Sequence, residues 1–148
     1  MFIAIFSYMK FLRFALCAFL MATFCFAGEG ADKQMELFYG FLKKAKYNEA
    51  ATAILEKVDL GVEEKATNIS VYAGYLNRFT VQHGKPLNYT KWRHKSLSKS
   101  FDETVYQINC EKSAWMVMIR EYASPDGKSF FSEFNIVTEE DIFERFAK

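Results

Sequence analysis

The chain has 148 residues, 51% of them hydrophobic and 25% charged, with a net charge of +1. That length suits one domain, and the apolar share is enough for a packed core, which excludes a disordered chain. The near-neutral balance excludes a general electrostatic case for binding nucleic acid.

In chain order, residues 1–27 stand apart from the rest. Lys10 and Arg13 flank a 14-residue apolar run, FALCAFLMATFCFA, which closes on the small residue Ala27. This is the build of a secretory signal peptide, and the run is shorter than the ~20 apolar residues that span a bilayer. The expected location is therefore exported, periplasmic or secreted, after cleavage near Ala27. The rival reading is an uncleaved anchor, and membrane contact is expected only through that segment. Cleavage leaves 17 basic and 18 acidic side chains, with Cys110 as the single cysteine. One thiol forms no internal disulfide even in an oxidising compartment. A buried, inert Cys110 is expected.

One domain is expected over 28–148. Residues 28–33, GEGADK, read as a short flexible leader. Met35, Phe38, Phe41, Leu42 and Ala45 then recur at helical spacing, and Tyr47, Ala50, Ala51, Ile54, Leu55 and Val58 form a second helical face. KKAKYNEA between them is a place to bend or break the helix. DLGVEEK reads as a loop centred on Gly61. A third helix over 68–83 places Ile69, Tyr72, Ala73, Leu76 and Phe79 on one side, and Gly84 with Pro86 stops it.

After Gly84 the period changes from 3.6 to 2. LNYTKWRHKSLSKSF, ETVYQINC, SAWMVMIREY and KSFFSEFNIV predict four strands, with the tight links EKS and SPDGK making the last three antiparallel neighbours. In KWRHK, plain alternation puts Lys91, Arg93 and Lys95 on one face, with Trp92 and His94 on the other. Such a basic, aromatic strand is the pattern of a protected edge. His83 falls in the last turn of the third helix and His94 on the first strand, so a shared metal site is not expected. No motif for zinc, nucleotide or nucleophilic chemistry is present, and no cofactor is implied. TEEDIFERFAK, with Thr138 three residues before Asp141, predicts a short terminal helix.

The last hairpin admits two registers. If Pro125 opposes Lys128, then Trp115, Val117 and Ile119 meet Ile136, Phe134 and Phe130 on a dry face, and Arg120 pairs with Glu133 on the other. If Ser124 opposes Lys128, with Gly127 left-handed, Glu133 joins the apolar set near Tyr106, where desolvation would raise its pKa as acid–base catalysis requires. The hydrophobic pattern favours the first register, because it buries no lone charge.

The layout of the FLKKAKYNEAATAIL helix pair, a third helix ending QHGKPL and a long-stranded meander resembles the nuclear-transport-factor-two-like α+β roll, over residues 33–137. The resemblance implies helices packed on a twisted antiparallel sheet of about four strands that curls into a cone. It also implies kinship with small exported bacterial proteins of unknown function. Relatives of this fold include isomerases, dehydratases, ligand binders and assembly modules, so fold alone does not select a function. The cone interior is expected to be lined by Tyr106, Ile108, Trp115, Val117, Ile119, Phe130 and Phe134. Met116, Met118, Tyr122 and Phe131 are the expected partner or homodimer face. The leading expectation is a non-enzymatic exported domain binding a protein or a small apolar ligand. The alternative is a cofactor-free isomerase or dehydratase with Glu133 and Tyr106 as its acid–base pair.

Overall fold

The computed structural model describes residues 29–137, so the signal segment and the terminal helix expected from Thr138 lie outside the described residues. Ala31, Met35, Phe38 and Leu42 fall on one helical stripe, and all four are buried. That stripe draws the chain into helix α1, Glu29–Leu42. The flexible leader expected over 28–33 is thereby corrected, because Ala31 continues the apolar stripe one turn back from Met35. Gly30 has its own reason to lack a side chain, since a Cβ there would stand 2.6 Å from Glu121 Oε1.

The helical run breaks at the lysines, where Ala45 turns the chain at φ 55°. Helix α2, Tyr47–Leu55, then buries Ala50, Ala51, Ala53, Ile54 and Leu55. Its alanines let α1 come close, and the buried Gln34 of α1 donates its side-chain amide to the carbonyl of Ala53. Helix α3, Val62–His83, begins six residues earlier than its apolar periodicity predicts. Its first turn carries Glu63 and Glu64, which suit the positive end of the helix dipole. Gly84, at φ 84°, ends α3 just before Pro86.

Four strands follow: β1, Pro86–Ser98; β2, Phe101–Cys110; β3, Ala114–Ala123; and β4, Ser129–Val137. They form one antiparallel sheet in the order β1-β2-β3-β4. The inner face packs against the helices, with Phe38 edge-on to Trp115 at 6.5 Å and to Phe134 at 5.8 Å, and Phe79 5.4 Å from Trp115. The fold is α+β, helices over one face of an open sheet, as the sequence implies.

The β3–β4 hairpin contains both registers that the sequence admits. At the turn, the N–H of Ser124 donates to the carbonyl of Lys128 at 2.8 Å, and Gly127 is left-handed at φ 82°. Tyr122 accordingly faces Phe130, and Glu121 faces Phe131. A one-residue bulge at Ser132 then shifts the pairing, so Arg120 faces Glu133 and Ile119 faces Phe134. The Ser132 hydroxyl donates to the Arg120 carbonyl at 3.3 Å, which occupies a backbone acceptor at the irregularity. Pro125 thus sits in the loop, where no ladder donor is needed. The turn register also exchanges two expected positions. Phe131 lies in the core, and Phe130 packs on the outer face against Tyr122.

Strand β1 has three such irregularities. Its pairing with β2 skips Leu87, Trp92 and Leu97 in turn. The expected alternation in KWRHK is corrected by the second. Lys91 opposes Tyr106 and His94 opposes Thr104 on the inner face, while Arg93 opposes Val105 and Lys95 opposes Glu103 on the outer one. The opposite edge of the sheet is met at one point: Val58 bridges Phe131, whose N–H donates to the carbonyl of Lys57 at 2.9 Å.

The exchanged phenylalanines give a direct check in urea denaturation. Phe131→Ala is expected to cost ~3–5 kcal/mol, as for a core aromatic, and Phe130→Ala only ~1 kcal/mol. The reverse order would refute the register set at the Ser124–Lys128 turn.

Candidate functional site

The expected catalytic pair is separated by the sheet itself. Tyr106 opposes Val117 on the inner face, whereas Glu133 opposes Arg120 on the outer face. Arg120 bridges two carboxylates, Glu133 through Nη1 and Glu103 through Nη2, the latter at 2.8 Å. The hydrogen bond to Glu103, above all, holds the guanidinium firmly protonated against the opposing pull of burial. Glu133 also accepts a bond from Asn135. Its carboxylate is therefore committed to neighbours on the outer face and is absent from the apolar interior.

Tyr106 instead meets a residue placed by the segment expected to be a leader. Its hydroxyl donates to Asp32 Oδ1 at 2.7 Å, and Lys91 Nζ donates to Asp32 Oδ2 at 2.6 Å. The first turn of α1 brings Asp32 over the sheet, and the bulge at Trp92 leaves Lys91 on the same inner face. Burial works to raise the Asp32 carboxyl, but the bonds from Lys91 and Tyr106 and the charges of Lys91 and His94 outweigh it, so its pKa is lowered. Burial, then the bond to Asp32 and its charge, push the Tyr106 phenol well above its ordinary range. Near neutral pH the pair is thus a fixed phenol and a fixed carboxylate. That is a structural clamp between α1 and the sheet, since neither group is poised to exchange a proton. Asp32 escapes a reading of periodicity because it is polar, and Ala31 beside it is a single alanine that extends the stripe too weakly to mark the turn.

The remaining expected site residues divide by face. Tyr106, Ile108, Trp115, Val117, Ile119 and Phe134 lie together in the main core, each at most 6% exposed. Phe130 is the exception, turned outward by the register set at the Ser124–Lys128 turn. On the outer face Met116 and Met118 form a second buried cluster with Val105 and Val137. Beside it, Tyr122 lies 4.8 Å from Phe101 and 5.0 Å from Phe130, a row of three rings across adjacent strands. Phe131, expected among these, is on the other side.

The histidines have separate partners. His83, in the last turn of α3, stacks on Phe79 and bonds Ser113, while His94 bonds Thr104 at 3.0 Å. Among the described residues no group of three His, Cys, Asp or Glu side chains is arranged to hold a metal ion. Cys110 is buried and accepts a bond from the Trp115 indole at 3.2 Å; burial raises its pKa, with that bond partly offsetting the rise.

No protein-family model matches the chain, and no curated protein does either.

Three substitutions separate these clamps. Asp32→Asn is expected to cost less than ~1 kcal/mol near neutral pH, as befits a half-exposed pair. Since the folded-state pKa is lowered, that increment is present above about pH 4 and fades as pH falls through the folded value, so the two proteins converge in acid. Arg120→Met strands Glu103, whose side chain is 8% exposed, and is expected to cost ~3 kcal/mol. Glu133→Gln, which leaves the Glu103 bond intact, is expected to cost less than ~1 kcal/mol. Equal losses for these last two would refute Glu103 as the buried partner.

Proposed function

We propose that this is an exported, non-enzymatic binding domain of the nuclear-transport-factor-two-like kind, working through the open edge of its sheet. The supporting observation is the contrast between the two edges. The β4 edge is met at Phe131 by Lys57 and Val58, whereas among the described residues β1 borders no further strand. Ten of its 13 residues are exposed.

An internal ligand pocket has less support. The side chains expected to line it pack on Met35, Phe38, Leu76 and Phe79 from the helices. The isomerase or dehydratase alternative also weakens, because Glu133 is held against Arg120 on the outer face. A strand edge needs no reactive group. It supplies side chains on both faces and backbone groups along one side, which is how many sheets meet macromolecular partners.

The reading is checked by placing a photo-crosslinking residue at Trp92, at Leu37 of α1 or at Val71 of α3 in the full chain inside living cells. Adducts are expected at Trp92 and not at the other two positions. Adducts confined to Leu37 or Val71, or none at Trp92, would overturn edge binding. Native mass spectrometry that finds a retained small molecule, lost on Phe134→Ala, would restore the pocket.

A further inference from the structure

The three residues that β1 leaves out of its pairing are Leu87, Trp92 and Leu97, one every five residues. Each is apolar, and each is exposed, at 54%, 47% and 43%. Four paired residues separate consecutive bulges. Four is an even number, so the alternation of faces returns to the same phase at every bulge. Pro86, Lys91 and Ser96 precede the bulges on the inner face, opposing Cys110, Tyr106 and Asp102; Asn88, Arg93 and Ser98 follow them on the outer face. The three apolar residues therefore recur at the same phase of the pairing along the edge. Without the bulges, positions five apart would alternate between faces.

The residues around them are basic. Between Lys85 and Phe101 there are five lysines or arginines and no carboxylate, in a chain whose overall charge is only +1. Lys91 is occupied by Asp32, while Lys85, Lys95 and Lys99 are exposed. Glu103, which opposes Lys95, is already bonded to Arg120. The edge thus combines exposed apolar groups with the exposed cations Lys85, Lys95 and Lys99, the nearby acids being Asp102 opposite Ser96 and Glu111, which accepts the Lys85 N–H.

We infer that β1 is a docking strip for an anionic lipid surface, with Leu87, Trp92 and Leu97 entering the headgroup boundary and the flanking cations meeting lipid phosphates. Leucine and tryptophan beside lysine and arginine form the composition of an interfacial contact, and each nearby cation adds attraction to an anionic leaflet. A strand-forming protein partner fits less well. Each bulge interrupts the even spacing of backbone groups, so an added strand loses register after four residues. A fluid lipid surface requires no register. Among the described residues no helix is long and apolar enough to cross a membrane. This departs from the expectation that only the signal segment touches lipid, and it rests on edge binding as proposed above.

The test uses the full chain and the fact that its only tryptophans are Trp92 and Trp115, the latter buried. With vesicles of phosphatidylglycerol and brominated phosphatidylcholine, Trp92 emission is expected to shift to the blue and be quenched; Trp92→Phe supplies the Trp115 baseline. Replacing Lys95 and Lys99 by Gln is expected to weaken the partition roughly 30-fold. Partition through the signal segment is insensitive to those two residues, so an unchanged response in that variant overturns the inference. So does equal quenching by purely zwitterionic vesicles. An acidic, leucine-containing peptide is titrated in parallel. A Trp92 response to the peptide and not to vesicles sinks the lipid surface and leaves edge binding standing; a response to neither sinks both.

Discussion

Side-chain parity is the constraint on which this molecule depends. One face of the sheet lies beneath three helices, so a net slip of one residue anywhere would carry apolar groups outward and charges inward. The β3–β4 hairpin meets that constraint in two steps. Its turn, shaped by Asp126 and the left-handed Gly127, sets a register that would bury Glu133 if it continued. The bulge at Ser132 cancels the offset before Glu133 is reached, and Arg120 receives its partner. On β1 the device acts locally: the bulge at Trp92 lets Lys91 take the inner face while Arg93, two positions on, takes the outer one.

The two faces hold their charges differently. On the inner side, Asp32 is bonded to Tyr106 and Lys91, and Glu121 accepts from Ser129 at 2.6 Å close to the start of α1. A carboxylate there complements the positive end of that helix. On the outer side, Arg120 ties β2, β3 and β4 together between a row of rings and the Met116–Met118 cluster. Each charge therefore serves to fasten one element to another. This is why the groups that look most reactive in the sequence are engaged with neighbours in the fold.

The fold class, the strand order and the third helix's core face were readable because they rest on many residues at regular spacing. What escaped was set by single residues. Ala31 decides that α1 begins before Met35, yet one alanine between polar neighbours carries little periodic signal. The turn at the left-handed Gly127 decides which phenylalanine is buried, but Phe130 and Phe131 are equally apolar, so alternation cannot rank them. In KWRHK the bulge depends on pairing with β2, a long-range property that no local pattern contains. The candidate site was half visible for the same reason. Tyr106 was identified by its strand, while Asp32 reaches it from 74 positions away in the chain.

Cys110 ends β2 beneath the Trp115 indole, and if the signal segment is removed it is the chain's last thiol. Its sulfur is then a record of folding history. In an oxidising compartment a chain that closes before meeting an oxidant keeps a reduced, shielded sulfur, whereas one that lingers open can be captured as a mixed disulfide or a covalent pair. Once packed against the indole, the thiol is slow to ionise and hard to reach. The proportion of molecules carrying a free thiol would therefore measure how quickly folding outran oxidation.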